Sequence, residues 1–432
     1  MQLTPAAPDA AVEVYSEVGL PPKKPFVYEA DMADIQVFVD AYCTHLELCV
    51  AAATGGACAS SSSSVSPNHA ASVEQVLQHT PASSFPCLRS PAQSEAESAA
   101  VDTFCMLLNA LDTCPLQSES FARAASSLIE VAATALLAEI RGISVSQLLL
   151  GDFSTAPSAH CSFYTAALND DVEEMVRSAA FGAQHTPHLK VKLDGNATRC
   201  ATILDALANW SSSSGGSGGG SVQREQGQEG GCTDGKDWWS LDANCAWSAP
   251  LVTALCQDVL PMHQHRIKMI EQPFPVDLVF QAAENGPGQD VLAGMQQWAQ
   301  SKEAINGLGI DVYADESMRT YLDIAVLAPF VNGVNIKMEK VGGYRAALRA
   351  VACAREAGLK VWLGCMVGSN LNSTQTAALA PLADGGSDLD GSLLVTEDSK
   401  AFTGGFQYGP LGSIVLHATP GLGVQLKDHW GP

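Results

Sequence analysis

Two lysines stand at alternate positions in the sequence HLKVKLDG, between His188 and Gly195. The apolar residues around them predict a buried β-strand, and because strand side chains alternate in direction, Lys190 and Lys192 point to the same face. One interpretation is an exposed strand face on which both charges are solvated. The other is chemical: the Lys190 ammonium group would lower the pKa of Lys192 by like-charge repulsion, and a lysine of lowered pKa can act as a base.

Carboxylate, amide and amine side chains also end four later strand patterns. They are Asp242 and Asn244, then Glu271, then Asp315 and Glu316, and finally Lys337. Each acid taken alone is also typical of a helix N-cap. Three acids from adjacent strands, Asp242, Glu271 and Asp315, are instead what a hard divalent cation needs, because Mg²⁺ prefers oxygen ligands. The set predicts a magnesium site.

The positions of Lys192 and Lys337 in the strand order predict that they face each other across a barrel. Two opposed amine groups beside a metal suit the removal of a proton from the α-carbon of a carboxylate and its return on the other side. The enolate formed in between carries two negative charges, so the metal and nearby cations must stabilise it. We therefore expect proton-transfer chemistry on a small carboxylate.

Short apolar strand patterns alternate with helical segments from residue 162 onward. The patterns begin at Ser162, Leu189, Trp238, Ile267, Asp311, Val334 and Lys360, with a weaker eighth one at Ser392. This alternation predicts an α/β fold of the TIM-like barrel type, whose chemistry lies at the C-terminal ends of the strands. A doubly wound open sheet is the alternative, but no glycine-rich phosphate turn follows the first strand.

The composition limits the partners. The chain has 432 residues, a formal net charge of −23 and 47% hydrophobic residues. This charge argues against nucleic acid and an anionic membrane surface, since both would repel the chain. No apolar run approaches the length of a membrane-spanning helix. The 13 cysteines form no CxxC pair, which is typical of free thiols in a reducing compartment. We expect a cytoplasmic protein, or an organellar one if the true N-terminus is missing.

Five stretches together resemble the enolase superfamily, in its muconate-lactonizing-enzyme subgroup, and are most similar to dipeptide epimerases of the L-Ala-D/L-Glu type. They are KVKLD, DANCAW, IEQPFP, ADES and VNIKMEKVGG. The resemblance implies that Lys192 and Lys337 are the two acid/base catalysts and that the three acids above bind one Mg²⁺ per subunit. Asn244 and Glu316 would support those ligands. The implied partner is a small dipeptide, and we expect a homo-oligomer because members of the family are often oligomeric.

The resemblance also implies a domain organisation. An α+β capping domain would occupy residues 1–155, a (β/α)7β barrel residues 156–400, and a C-terminal segment returning to the cap residues 401–432. Glycine- and serine-rich stretches at 51–72 and 210–231 predict insertions in surface loops. The opening strands of the cap, with the loop that closes over the substrate, have no counterpart in this sequence, so we expect a cap truncated at its start.

Substrate choice depends on a second acidic pair, Asp388 and Asp390, on one side of an extended segment in GGSDLDGSLL. In dipeptide epimerases a DxD at this place binds the N-terminal ammonium group of the substrate, and two carboxylates suit that task by charge. We expect Asp388, Asp390 and Thr165 to contact the substrate. A turn whose aspartates only cap or bind water is the alternative. If the pair binds no ammonium group, an N-acyl amino acid racemase or an o-succinylbenzoate synthase is favoured.

One more departure concerns Gly368 in GCMVGSN, which stands where relatives usually have an acid. The missing acid puts the hydrogen-bond network at that strand end in doubt. Together with the short cap, it keeps open a non-catalytic barrel with a binding role. The intact set of two lysines and three acids argues for the enzyme.

Overall fold

The computed structural model describes residues 13–20, 30–53, 72–90, 92, 94–151, 160–213, 237–276 and 289–428. Most of both predicted insertions, residues 54–71 and 214–231, lies outside these ranges. The described residues form a helical N-terminal part, a barrel and a C-terminal segment.

The N-terminal part consists of helices. They are α1 (Met32–Ala53), α2 (Val73–Val76), α3 (Pro86–Arg89), α4 (Glu95–Asp112), α5 (Ala122–Arg141) and α6 (Val145–Leu150). Helix α5 is buried along most of its length and packs against α1 and α4, and it ends at Gly142, whose φ of +67° suits a residue without a side chain. The described residues up to 151 contain no strand. In that part of the chain, the predicted α+β cap is therefore represented by helices alone.

Eight parallel strands form the barrel in sequence order. They are β1 (Tyr164–Ala166), β2 (Leu189–Lys192), β3 (Trp239–Asp242), β4 (Ile267–Glu271), β5 (Asp311–Ala314), β6 (Gly333–Lys337), β7 (Lys360–Gly364) and β8 (Ser387–Asp388). The first and last strands meet at a bridge between Ser162 and Ser387, where the backbone N–H of Phe163 donates to the carbonyl of Ser387 at 2.8 Å. This closure confirms the TIM-like barrel and excludes the open sheet.

Helices follow the strands around the barrel. They are α7 (Val172–Gly182), α8 (Ala197–Ser213), α9 (Ala249–Asp258), α10 (Leu260–His263), α11 (Gln289–Asn306), α12 (Ile324–Leu327), α13 (Met338–Val341), α14 (Tyr344–Glu356) and α15 (Asn370–Ala377). Side-chain caps start several of them: Asp171 accepts a backbone N–H of α7, Ser248 one of α9, and Ser369 one of α15. The strand-then-helix order matches the (β/α)7β prediction.

The eighth strand lies earlier than its predicted start at Ser392. It is Ser387–Asp388, and Gly391–Leu393 form a 3₁₀ turn instead. The prediction was wrong because it followed the apolar run after Ser392. The actual strand is two residues long and carries a buried aspartate, so it has no apolar pattern to detect.

The C-terminal segment contains β9 (Phe402–Gly404), β10 (Gln407–Tyr408), β11 (Ile414–Val415) and β12 (Val424–Leu426). Strand β9 pairs with β12, and β10 with β11, both antiparallel. The segment reaches the helical part at Gly421, whose carbonyl accepts the N–H of Val145 at 2.8 Å and whose N–H donates to Ile143 at 2.9 Å. These contacts agree with a segment that returns to the cap, while the boundaries at 155 and 400 stay predictions.

Helix α5 is tied to the barrel by a buried ion pair. Arg345, at the start of α14, donates from Nε to Glu130 Oε2 at 2.9 Å and from its backbone N–H to Glu130 Oε1 at 2.6 Å. Arg123 of the same helix α5 donates to the carbonyl of Lys340 at 2.8 Å. The helical part therefore supports the end of β6.

Helix α1 does not fit the expectation that no apolar run is long enough to cross a membrane. By length and composition Met32–Ala53 is apolar enough to do so, and 17% of its apolar window is buried. Its buried residues Ile35, Phe38 and Tyr42 face the core. The core helix of a soluble protein and a leader sequence meet the same criterion, so α1 alone decides nothing about a membrane.

Candidate active site

The polar strand ends meet at one mouth of the barrel. In the sheet register, Lys192 on β2 pairs with Asp242 on β3, which pairs with Glu271 on β4. Lys337 ends β6 beside Gly364 of β7. Because parallel strands of a barrel end on the same side, the structure brings together the lysines and acids that the sequence predicts.

Lys190 lies two residues deeper in β2 and is fully buried among carboxylates. Its Nζ lies 2.8 Å from Glu271 Oε2, 2.8 Å from Asp388 Oδ2 and 3.1 Å from Asp242 Oδ2. Burial disfavours the charged form, but these carboxylates outweigh it and hold the pKa of Lys190 well above its usual range. Lys190 is therefore an ammonium group, as its expected action on Lys192 requires. The expected action of Lys190 on Lys192 stays a prediction.

Lys192 is more exposed than Lys190, with 31% of its side chain accessible against 2%. Its Nζ donates to Asp242 Oδ2 at 3.0 Å and to Asn244 Oδ1 at 2.8 Å. Asn244 Nδ2 donates in turn to Glu316 Oε1 at 3.0 Å. The φ of Asn244 is +40°, a left-handed conformation that asparagine tolerates. The predicted supporting pair thus links the ends of β3 and β5 and holds the Lys192 amine.

Lys337 binds a different carboxylate. Its Nζ donates to Asp315 Oδ2 at 2.7 Å. The buried Lys340 binds the other oxygen of the same carboxylate, and donates to the carbonyls of Asp315 at 2.6 Å and Asn335 at 3.0 Å. Burial opposes the ionisation of Asp315, but the two lysines hold the pKa of this carboxyl well below its usual range. The sequence analysis missed Lys340, which lies three residues after Lys337, on the helix α13 that follows β6. This i, i+3 spacing is the available signal.

Two more side chains that the sequence analysis missed fix the acids. Asn335 Nδ2 donates to Glu271 Oε1 at 2.8 Å. Gln272 Oε1 accepts the backbone N–H groups of Asp315 and Ser317, both at 3.0 Å. Strand alternation from Lys337 could have indicated Asn335, because residues i and i+2 share a face. The position of Gln272 directly after Glu271 is a weaker signal.

Asp388 and Asp390 do not lie on one extended segment, as was expected. They differ in backbone conformation and in the groups to which they are hydrogen-bonded. Asp388 is on β8, where its Oδ1 accepts Trp362 Nε1–H at 2.7 Å and its Oδ2 accepts Lys190 at 2.8 Å. Asp390 follows the strand with φ −93° and ψ 6°, a conformation outside the β region. Its Oδ2 accepts the backbone N–H of Thr165 at 2.6 Å. Burial, with the neighbouring charge of Asp388, raises the pKa of Asp390 to about 6.

A carboxylate from the N-terminal segment lies beside Gly368. Glu17 accepts the backbone N–H groups of Ser369 at 2.9 Å and Asn372 at 3.3 Å, and also the Ser369 hydroxyl. A Cβ added at Gly368 would lie 2.9 Å from Glu17 Oε1. Gly368 therefore has a carboxylate beside it after all, supplied by Glu17. This residue is 352 positions away in the chain from its hydrogen-bond partner Ser369.

The donor chemistry of the mouth fits a magnesium ion. Asp242 and Glu271 already converge on one cation, the Lys190 ammonium group. Burial raises the pKa of Glu271 above its usual range, and the surrounding carboxylates add to this effect despite Lys190. A divalent cation would favour the charged form of this carboxyl. Asp315 is the third oxygen donor expected there.

The three carboxylates contact lysine side chains in this structure. Among the residues that the structure describes, no three His, Cys, Asp or Glu side chains form a group that could hold a metal ion. Lys190 binds Asp242 and Glu271, while Asp315 is bound by Lys337 and Lys340. Binding of an ion by these acids therefore requires that they exchange lysine contacts for it.

Comparison with known proteins identifies relatives of this chain. Residues 233–430 match the family model described as enolase C-terminal domain-like. An enolase superfamily member from Dictyostelium discoideum is 33% identical over 268 residues, which is 61% of this chain and 57% of that protein. An L-Ala-D/L-amino acid epimerase from Maribacter sp. is 32% identical over 188 residues, 44% of this chain and 48% of that enzyme. The chain thus spans about half the length of these curated relatives.

A solved structure extends the likeness to nearly the whole chain. The substrate-liganded complex of the L-Ala-D/L-Glu epimerase from Bacillus subtilis superposes with a TM-score of 0.60, covering 96% of this chain and 88% of that one. At 18% sequence identity, this similarity concerns the fold alone.

Proposed function

We propose that this chain, whose residues 233–430 match the enolase C-terminal domain-like family, is a member of the enolase superfamily and a magnesium-dependent epimerase of dipeptides of the L-Ala-D/L-Glu type. The observation that carries the proposal is the placement of Lys192 and Lys337. They extend from β2 and β6 of the eight-stranded barrel, and each is held by its own carboxylate, Asp242 or Asp315. Such a pair can act on both faces of one carbon.

In the proposed reaction, one lysine acts as a neutral amine and removes the α-proton of the substrate. The C–H bond breaks, its electron pair delocalises into the adjacent carboxylate, and the proton forms a new N–H bond on that lysine. The opposite lysine, as an ammonium group, returns a proton to the other face of the carbon. Exchange with solvent resets both lysines, and the configuration at the α-carbon is inverted.

Asp242, Glu271 and Asp315 would hold one Mg²⁺ per subunit. When bound, the ion supplies positive charge that stabilises the negative charge developing on the substrate carboxylate. Lys190 adds a fixed positive charge below the reacting groups, and Asn244 with Glu316 orients Lys192.

Asp390 and Asp388 favour a substrate with a free amino group. The two carboxylates are buried next to the barrel mouth, where their negative charge suits an ammonium ion. Because Asp388 already binds Trp362 and Lys190, Asp390, oriented by the Thr165 N–H, would make the direct contact and Asp388 would add charge beside it. An N-acylated amino acid has no such cation, so N-acyl amino acid racemase and o-succinylbenzoate synthase are the alternatives. The cytoplasmic location and a homo-oligomeric state remain predictions.

Deuterium incorporation from solvent at the α-carbon tests the proposal. L-Ala-L-Glu and a panel of related dipeptides should exchange in the presence of Mg²⁺, and the exchange should be slower without it. Exchange of an N-acyl amino acid but of no dipeptide would move the assignment to the alternatives. No exchange at all, with no effect of Mg²⁺ on the melting temperature, would favour a non-catalytic binding barrel.

A further inference from the structure

We propose that Asp388 and Trp362 form a receiving site for the Lys190 ammonium group, which holds Lys190 when Asp242 and Glu271 bind Mg²⁺. This inference rests on the magnesium site of the proposed function. It makes Asp388 and Trp362 positioning residues that act on the metal site through Lys190.

The first observation is that Lys190 competes for the oxygens that would bind the ion. Its Nζ is 2.8 Å from Glu271 Oε2 and 3.1 Å from Asp242 Oδ2. A cation that takes these oxygens must displace a buried ammonium group, and a buried charge left without a partner is strongly unfavourable. Lys190 therefore needs another carboxylate within reach.

Asp388 is that carboxylate, and it is already in place. Its Oδ2 accepts Lys190 at 2.8 Å from the side of β8, across the barrel from Asp242 and Glu271 in strand order. Lys190 can therefore give up two of its acidic partners and keep the third. Asp388 is itself buried, so its attraction for the ammonium group is screened little by water.

Trp362 fixes the orientation of Asp388. Its Nε1–H donates to Asp388 Oδ1 at 2.7 Å, which leaves Oδ2 for Lys190. The indole is rigid because it is buried against Phe163, at 4.8 Å between ring centroids, and Tyr313, at 6.2 Å. A hydrogen bond from a rigid neighbour is the kind of outer contact that tunes a metal site.

Asp390 provides a matched control. It is buried like Asp388 and lies two positions further along the chain, but its Oδ2 accepts the Thr165 N–H. Changing either aspartate to asparagine removes one buried negative charge near the mouth. Only the change at Asp388 removes the negative charge from the carboxylate that accepts a hydrogen bond from Lys190.

The test is calorimetric titration of the metal-free full-length protein with MgCl₂ at about pH 8, without substrate. Asp388→Asn should weaken Mg²⁺ binding on the order of tenfold, because Lys190 then binds Asp242 and Glu271 more tightly. Asp390→Asn should change the affinity less than about twofold. Trp362→Phe, which keeps the charge of Asp388 but frees its Oδ1, should weaken binding by an intermediate factor.

Equal losses in Asp388→Asn and Asp390→Asn would overturn the proposal, since they would reflect charge alone. An unchanged affinity in Asp388→Asn would overturn it too. If circular dichroism shows that Asp388→Asn does not fold, Trp362→Phe decides: weaker binding supports the proposal and unchanged binding contradicts it. Because no dipeptide is present, this pattern can hold even if dipeptide exchange fails, whereas a wild type that binds no Mg²⁺ overturns both.

Discussion

Lys192 and Lys337 extend from strands β2 and β6, and their ammonium groups bind different carboxylates, Asp242 at 3.0 Å and Asp315 at 2.7 Å. In an eight-stranded barrel closed in sequence order, these two strands are opposite each other. The two lysines therefore approach a molecule in the mouth from different sides. An arrangement of this kind suits a reaction with two bases, one on each side of the substrate, and a reaction with a single base would not need it.

The first prediction concerns proton exchange by the two lysine variants. Lys192→Ala and Lys337→Ala should each lower epimerisation by about 10²- to 10⁴-fold, because each loses one acid/base group. Each variant should still exchange the α-proton of one epimer with D₂O, and the retained epimer should be opposite in the two variants. Mass spectrometry of the L,L- and L,D-dipeptides after incubation in D₂O measures this.

The control for that experiment is Lys360→Ala. Lys360 begins β7, at the end away from the mouth, and its half-exposed side chain pairs with Asp311 at 2.6 Å. Its loss should leave exchange unchanged. If both active-site variants lose exchange of the same epimer, the opposed-lysine mechanism is wrong.

The strands that carry the candidate site were predictable because their pattern is local. Each is a short apolar run with a polar residue where it ends, and parallel strands bring those ends together without any knowledge of distant contacts. Lys192, Asp242, Glu271 and Lys337 were found in this way.

The remaining features of the site could not be read from strand alternation, because they depend on helical spacing, on a very short strand or on contacts between distant parts of the chain. Lys340 reaches Asp315 because a helical turn follows β6, where strand alternation no longer applies. Asp388 was identified, but its strand was placed too late in the chain, because two residues are too few to show an alternating pattern. Glu17 meets Ser369 from the other end of the chain, and no local pattern predicts a contact between residues 352 positions apart.

The second prediction concerns Gly364, which faces the mouth between β6 and β8. A Cβ there would lie 2.7 Å from Asn335 Oδ1, 2.8 Å from Lys337 Cε and 2.9 Å from Asp388 Oδ1. Gly364→Ala should displace Lys337 and lower kcat on the order of 10²-fold, while overpacking costs about 1–3 kcal/mol of stability. Steady-state kinetics and urea unfolding measure the two effects.

Gly307→Ala is the matched control for Gly364. Gly307 is exposed after helix α11, and its added Cβ would meet only the carbonyls of Ala304 at 3.3 Å and Glu303 at 3.4 Å. It should leave kcat unchanged. A normal kcat in Gly364→Ala would mean that Lys337 does not need its present position.

The third prediction is a pH dependence from Asp390. Burial and the charge of Asp388 raise the pKa of this carboxyl to about 6, so it is ionised above that pH and protonated below it. A protonated carboxyl attracts an ammonium group less, and kcat/KM for a dipeptide should therefore fall below about pH 6. The ratio of wild type to Asp390→Asn, measured from about pH 8 to about pH 5, isolates this group because ionisations common to both proteins cancel. The ratio should approach one at the acidic end; a ratio independent of pH would remove Asp390 from ammonium binding.

The last prediction concerns the ion pair that joins helix α5 to the barrel. Arg345 binds the buried Glu130 at 2.9 Å and the partly exposed Asp112 at 2.8 Å. The same guanidinium group therefore allows a buried ion pair to be compared with an exposed one. Glu130→Ala should lower the free energy of unfolding by about 3–5 kcal/mol, because it leaves the Arg345 charge and backbone N–H buried with fewer partners. Asp112→Ala should cost less than about 1 kcal/mol, since water can replace an exposed carboxylate. Urea unfolding followed by circular dichroism compares them, and equal losses would show that burial of Glu130 does not determine its contribution.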